Sequence, residues 1–483
     1  MFPKGFKFGF SECGFQFEMG ISEPDTNSDW YAWSHDPRNV TAHYVSGDLP
    51  DNGVGYWDLY KTDHDLANSI GMNSGRLGIE WSRIFPESTE GVKADTEIDG
   101  QHVLAVDVSE KNLEQMDKMA NQAAVAHYRK MFEDFKARDN FLVLNLYHWT
   151  IPRWLNDPLK AEDTPNGRST GGCFNSRITT EFAKYAAYIG WKFGDLADRW
   201  STMNEPNMVF LGCSVDKSAA GLAARKINFI EGHARAYDSL KEISGKPVGI
   251  IYANGDVQPL TDADTEAANK MVYDGRHSFF DAITNGDVSW YNSFESDSRI
   301  EKTDDTRKDL RKKVDWIGVN YYSRDVVSAT ENGWKIVEGY GHASGSKEKS
   351  LDGRSISDTG WEVYPEGIYN VIMLYQKRYN TPMMITENGM ADAVDRIRPR
   401  YLVSHLNQVE RAIRDGAKME GYFHWALTDN YEWASGFSMK FGLFGVDLQT
   451  KKRQLRPSAL VFKEIAENNG IPDNLEWIIN TKI

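Results

Sequence analysis

Cysteine is scarce. The three in 483 residues, Cys13, Cys173 and Cys213, are scattered and odd in number. That pattern excludes a disulfide framework and a thiolate metal site, which both need fixed spacings. The expectation is three buried thiols, as a reducing cytosol maintains. No stretch approaches the roughly 20 apolar residues of a membrane span. Met1-Phe2-Pro3-Lys4-Gly5-Phe6 runs straight into strand pattern, without the apolar core or cleavage site of a secretory signal. Basic residues are outnumbered, 55 Lys+Arg against 70 Asp+Glu, for a net charge of −15. An acidic chain of this kind is a poor partner for nucleic acid or an anionic membrane. Internal repeats, low-complexity segments and a Pro/Gly-rich linker are missing too. Residues 1–483 are therefore expected to form one domain.

What remains is a long chain, 41% hydrophobic and 12% aromatic, with material for a large core. That length suits one domain chiefly when the fold is a barrel. Apolar runs read as strands at 6–18, 75–81, 141–147, 199–205, 247–252, 314–322, 382–387 and 421–425. Phe141-Leu142-Val143-Leu144-Asn145-Leu146-Tyr147 is nearly unbroken, as in a parallel strand covered on both faces. Helical periodicity falls at 57–70, 121–138, 178–198, 225–243, 265–285, 367–379, 400–416 and 457–468. A weak alternation near 91–109 around Asp99-Gly100 reads as a hairpin outside the main fold. Strands alternating with helices predict parallel pairing with right-handed crossovers. The fold class is α/β, a single (β/α)8 TIM barrel with loop insertions. A doubly wound sheet is the alternative, but Gly9, Gly14 and Gly20 lack the spacing of its phosphate loop.

Two predicted strands end in a carboxylate. Pro382-Met383-Met384-Ile385-Thr386-Glu387 stops at Asn388-Gly389, and Arg199-Trp200-Ser201-Thr202-Met203-Asn204-Glu205 stops at Pro206. A buried strand-end carboxylate is costly unless a cation or hydrogen-bond donor meets it. Polar or aromatic residues stand near most other strand ends: Gln16, Arg76, His148, Asn320 with Tyr322, and Trp425. In a barrel these ends converge on one face. Glu80 and Arg83 read instead as a structural ion pair. The pattern suits glycoside cleavage, in which one carboxyl protonates the departing oxygen and another attacks or stabilises the ring carbon. The neutral amide of Asn204 leaves Glu205 free to stay protonated. Arg76 and Tyr322 could reach Glu387 and hold it ionised. Metal-dependent hydrolysis fits less well, because His148 stands nearly alone and His424 points away from Trp425. Neither a nucleophile elbow nor a Gly-Lys phosphate loop is present.

Thr202-Met203-Asn204-Glu205-Pro206 and Ile385-Thr386-Glu387-Asn388-Gly389 resemble the two signature stretches of glycoside hydrolase family 1. The likeness extends to Gly14-Phe15-Gln16, Glu80-Trp81-Ser82-Arg83, Tyr147-His148-Trp149, Val319-Asn320-Tyr321-Tyr322 and Asp429-Asn430-Tyr431-Glu432-Trp433. The hairpin and Val45-Ser46-Gly47-Asp48-Leu49-Pro50 resemble the archaeal branch, whose members are often thermostable cytoplasmic tetramers. The resemblance implies a retaining, exo-acting β-D-glycosidase of the β-glucosidase and β-galactosidase kind, acting on a small-molecule or oligosaccharide β-glycoside. Glu387 is then the nucleophile and Glu205 the acid and base, supported by Arg76, Asn204, Tyr322 and Asn320. Gln16, His148, Trp149, Trp425, Glu432 and Trp433 would bind the sugar, and Trp361 the leaving group. No metal and no cofactor is implied. Glu432, followed by Met439 and Phe441 rather than Lys and Tyr, points to unphosphorylated sugars. The loop after Asn207 departs from the branch, as do Thr150 and Arg153. Arg153 is expected to be a solvated charge. β-Mannosidase, a mainly transglycosylating enzyme and a non-catalytic carbohydrate-binding barrel are the other readings.

Overall fold

A computed structural model of the chain describes all residues except 164–171, 209–217, 295–296, 346–347 and 480–483. The eight expected strands are all present: β1 Lys7–Ser11, β2 Ser74–Gly78, β3 Phe141–Asn145, β4 Arg199–Asn204, β5 Val248–Pro259, β6 Trp316–Thr330, β7 Met383–Glu387 and β8 Met419–His424. Each pairs in parallel with its chain neighbours, and β8 pairs with β1, so the sheet closes. Closure leaves no barrel edge unpaired. A helix follows each strand: α1 Tyr56–Ser69, α2 Gln122–Lys136, α3 Arg177–Phe193, α4 Ala219–Ser244, α5 Ser278–Asn285, α6 Glu366–Tyr379, α7 Arg398–Arg414 and α8 Pro457–Asn468. The molecule is a (β/α)8 barrel.

Val143, Ile251, Trp316, Met384 and Phe423, one each from β3, β5, β6, β7 and β8, form a fully buried cluster separate from the main core. With this apolar packing inside, the polar residues of the same strands gather at their C-terminal ends. The hairpin is also as expected, Asp95–Asp99 against His102–Asp107, with its first strand exposed throughout. None of the helices among the described residues is long and apolar enough to cross a membrane.

The structure corrects several boundaries. The first apolar run is strand only to Ser11, and Gly14–Phe17 is a single helical turn. At Gly14 the backbone lies against Glu80, where a Cβ would come within 2.6 Å of its side chain. The second run ends at Gly78, and Trp81–Ile84 is again one turn. The helix expected over 265–285 is broken into Thr265–Val272, a wider turn Tyr273–His277, and α5. β5 and β6 run on past the barrel, and β6 folds back on the antiparallel strand Gly333–Ile336. The cysteine expectation fails at one position. Cys13 is a buried free thiol, whereas Cys173 is disulfide-bonded. Cys213 and the departing loop after Asn207, at 209–217, lie outside the described residues.

Candidate active site

Glu387 ends β7, where the Asn388-Gly389 turn crosses closely over the tip of β8. A Cβ at Gly389 would lie 1.7 Å from the Trp425 carbonyl oxygen, so only glycine fits this turn. Asn388 anchors the turn by donating from Nδ2 to the Tyr321 carbonyl and Tyr401 hydroxyl, both at 2.7 Å, while Tyr422 donates to its Oδ1. Both Glu387 oxygens are engaged. Arg76 Nη1 donates to Oε1 at 2.6 Å, and the Tyr322 hydroxyl donates to Oε2 at 2.6 Å. Arg76 is fully buried and Glu387 nearly so. A guanidinium and a phenol on separate oxygens are partners that favour a charged carboxylate. Burial, then the charge of Glu387, push the Tyr322 hydroxyl well above its usual pKa, so it stays a donor.

Glu205 follows the last residue of β4 with φ at +52°, a left-handed conformation uncommon outside glycine. Its side chain is buried, and Asn320 Nδ2 donates to Oε1 at 2.8 Å. Burial first and the nearby Glu387 second raise its pKa to about 8. The two carboxyls therefore differ in surroundings. One is matched by charged and phenolic donors, the other by a neutral amide.

The amides between them are locked in order. Thr386 Oγ1 donates to Asn320 Oδ1 at 2.7 Å, which turns the Asn320 amide nitrogen toward both Glu205 and Asn204 Oδ1. Asn204 Oδ1 also accepts from Arg76 at 2.8 Å. Its nitrogen must then donate, and it meets His148 Nε2 at 3.2 Å. Burial and then the Arg76 charge hold the His148 pKa well below its ordinary value. A neutral ring that accepts at Nε2 carries its proton on Nδ1. That Nδ1 is buried without a partner, and so is Gln16 Oε1. A donor and an acceptor left open in one cavity are what a polyhydroxylated ligand would satisfy.

Gln16 sits on the turn after β1 rather than at the strand end. Its Nε2 donates to Asn430 Oδ1 at 3.1 Å, the Tyr431 carbonyl at 3.0 Å and Glu432 Oε2 at 3.4 Å. Glu432 is half-buried, and its pKa is raised to about 8, by desolvation and then by Glu387. Trp433 stacks on Phe15 at 5.7 Å and packs against Trp149 at 4.8 Å. Both tryptophans have positive φ, +48° and +75°, and such bulky residues hold this conformation only where the surroundings impose it. Trp425 lies nearly parallel to the His148 ring at 6.0 Å. Trp361 packs on Tyr322 at 5.3 Å, at the opposite wall.

A cavity of about 710 Å3 is lined by Gln16, His148, Trp149, Glu205, Tyr322, Trp361, Glu387, Trp425, Glu432 and Trp433. Arg76 and Asn320 back it, each bonded to one of the carboxyls, and Asn204 lies behind them, bonded to both. All thirteen candidate residues thus meet at one end of the barrel. His424 packs outward against Phe462 of α8, as its place in β8 implies.

The supporting layer differs from expectation. Arg83 does not pair with Glu80. Its Nε donates to Glu18 Oε2 at 2.9 Å, and Tyr128 donates to the other Glu18 oxygen. Glu80 instead accepts from the Phe15 amide at 2.8 Å and from Thr150 Oγ1 at 2.6 Å. It ties the Gln16 turn to the loop carrying His148 and Trp149. Arg153 is exposed, as expected, and pairs with Asp157. The cavity wall also holds Met208, Arg276, Asp325, Trp334 and His342, none of them flagged by sequence. Asp325 and Trp334 belong to the overlong β6 and its return strand, and strand length beyond an apolar run leaves no periodic signal.

The family model of glycosyl hydrolase family 1 matches residues 1–119 and 114–471. The chain belongs to glycosyl hydrolase family 1. This family 1 enzyme is 50% identical to a β-galactosidase of Saccharolobus solfataricus, over 99% of this chain and 97% of that one. It superposes on the β-glycosidase of the hyperthermophile Thermosphaera aggregans with a TM-score of 0.92 and 44% identity, covering 99% of each. A solved β-glucosidase mutant, described as derived from a hyperthermophilic tetrameric structure, gives 0.88 and 43% over 99% of this chain and 98% of that one. The family 1 enzyme is a glycoside hydrolase that cleaves β-glycosidic bonds.

Proposed function

We propose that the enzyme is a retaining, exo-acting β-D-glycosidase for unphosphorylated sugars, with Glu387 as nucleophile and Glu205 as acid and then base. The carrying observation is the asymmetry of the two buried carboxyls: Glu387 is held by Arg76 and Tyr322, whereas Glu205 has one amide donor and a pKa raised to about 8. In the first step Glu387 attacks the anomeric carbon, the bond to the leaving oxygen breaks, and Glu205 gives that oxygen its proton. In the second, Glu205 takes a proton from water, which attacks the anomeric carbon and releases Glu387. Arg76 and Tyr322 balance the Glu387 charge when it returns. Asn204, fixed by Arg76 and Asn320, is placed to meet a hydroxyl beside the reacting carbon. Gln16, His148, Glu432 and Trp433 suit the remaining hydroxyls, Trp425 the floor of that subsite, and Trp149 and Trp361 its walls. The carboxyl of Glu432 and the apolar Met439 and Phe441 offer nothing to a sugar phosphate.

The likeness to the archaeal branch extends the reading to one 483-residue domain working as a cytoplasmic homo-oligomer, tetrameric on that likeness. An intracellular disulfide is a habit of hyperthermophile proteins. The test of substrate class is the initial rate on aryl β-D-glucoside, galactoside, fucoside and mannoside side by side. Comparable gluco, galacto and fuco rates, well above manno, are expected. A dominant manno rate would mean that the group around Asn204 and His148 meets the sugar differently. No activity on any of the four would overturn the proposal in favour of a binding barrel.

A further inference from the structure

Beside the active-site cavity lies a second, of about 760 Å3, walled by the first half of α4 and by residues around 270 and 290. The two cavities share Asn207 and Gly275. Asn207 stands two residues beyond Glu205, and a proton donor stands next to the leaving oxygen, so the shared wall is on the leaving-group side. This placement rests on the role proposed for Glu205.

Arg225 lines the second cavity and is only 8% exposed. Its Nε and Nη1 are buried and meet no acceptor. Six of the eight buried arginines among the described residues form ion pairs: Arg76, Arg83, Arg235, Arg307, Arg324 and Arg398. Arg276 donates to the Gly255 carbonyl. Among the described residues Arg225 does neither. Burial depresses its pKa, and the Tyr147 and Tyr252 phenols oppose that shift. The Trp290 indole nitrogen, in the same wall, is also buried without an acceptor. Lys226 lies over the Trp290 ring at 4.2 Å and donates to the Asp274 carbonyl at 2.9 Å. Asp274 supplies the one carboxylate among the described lining residues, and Lys270 pairs with it at 3.0 Å. Among those described residues the cations Arg225, Lys226 and Lys270 outnumber it. The cavity's other walls are apolar and aromatic, with Leu222, Phe229, Phe279 and Phe294.

Buried donors without acceptors are rare in folded proteins, and a planar guanidinium matches two oxygens of a carboxylate or sulfate side by side. We propose that this cavity is an anion-selective extension of the leaving-group subsite, in which an aromatic leaving group ending in a carboxylate or sulfate seats that anion on Arg225. Lys226 and the Trp290 indole border the same position.

The test compares two β-D-glucosides, of 4′-carboxybiphenyl-4-ol and of its neutral carboxamide, whose distant substituents leave the phenol's reactivity alike. The wild-type enzyme is expected to favour the carboxylate by about tenfold in kcat/KM at low ionic strength, with the preference shrinking in about 0.5 M NaCl. In Arg225→Gln the ratio of the two values should fall to within about twofold. Equal kcat/KM for the two in the wild type, or a preference that persists in Arg225→Gln, would overturn the proposal. Should that variant fail to fold, the wild-type ratio and its salt dependence decide alone. Phenyl β-D-glucoside is the control: its turnover with no carboxylate preference sinks this inference only, and its failure to react sinks the proposed function.

Discussion

Replacing Glu387 with alanine is expected to lower kcat on an aryl β-D-glucoside by about 10^4-fold or more, with the circular-dichroism spectrum unchanged. No other carboxyl among the described residues of the cavity is held as Glu387 is, by a guanidinium on one oxygen and a phenol on the other. The Tyr322 hydroxyl is held protonated, Asp325 pairs with His342, and desolvation by itself still raises the pKa of Glu205 and Glu432. The substitution also leaves the buried Arg76 with Asn204 as its remaining side-chain partner. Breaking a buried pair in this way costs about 3–5 kcal/mol, so a lower Tm is expected alongside the lost activity. The truncated side chain leaves room for a small anion. Sodium azide should restore turnover and give an α-glycosyl azide, because one displacement from the Glu387 side inverts the anomeric centre. Wild-type rates in Glu387→Ala, or a β-azide from it, would remove Glu387 from the role of nucleophile.

The second large effect concerns Glu205. In Glu205→Gln the unactivated substrates, whose leaving oxygen needs a proton, should slow by about 10^2- to 10^4-fold. Glycosides of strongly acidic phenols should lose far less in the first step, so the glycosyl-enzyme accumulates. Azide added to Glu205→Ala should then yield a β-glycosyl azide through two displacements. The pH dependence follows from the sign of the shift. Glu205 acts while protonated, and its pKa is raised to about 8, so wild-type kcat/KM should hold at neutral pH and fall about tenfold per unit above about 8. The alkaline limb should vanish in Glu205→Gln. A limb that survives there belongs to another group, and the acid assignment would have to move.

The barrel was legible because parallel strands buried on both faces leave nearly continuous apolar runs. The helix at 457–468 was found to the residue, since Pro457 opens it and Asn469 closes it in a left-handed conformation. Glu387 and Glu205 were legible as carboxyls stranded at the ends of such runs. The supporting layer was not. A neighbour in sequence suggested that Arg83 pairs with Glu80, but the turn Trp81–Ile84 carries Arg83 to Glu18, 65 residues away. Gln16 looked like the end of a strand because Phe15-Gln16-Phe17 alternates again, although out of register with Phe8 and Phe10. The helical turn Gly14–Phe17 depends on the contact of Gly14 with Glu80, a long-range fact that no local pattern carries. Cys173 and Arg225 escaped for the same reason. A disulfide and an unpaired cation are properties of who sits next to whom, and spacing along the chain is silent about both.

The measurement that tests the central claim most directly is covalent trapping. A 2-deoxy-2-fluoro-β-D-glucoside with a good leaving group forms its glycosyl-enzyme faster than water releases it, because the fluorine destabilises both positively charged transition states. Peptide mapping by mass spectrometry should then find one added fluorosugar on the Glu387 side chain, and NMR of an ordinary substrate should show the β-anomer formed first. An adduct on another residue, or an α-anomer formed first with no adduct, would contradict the account.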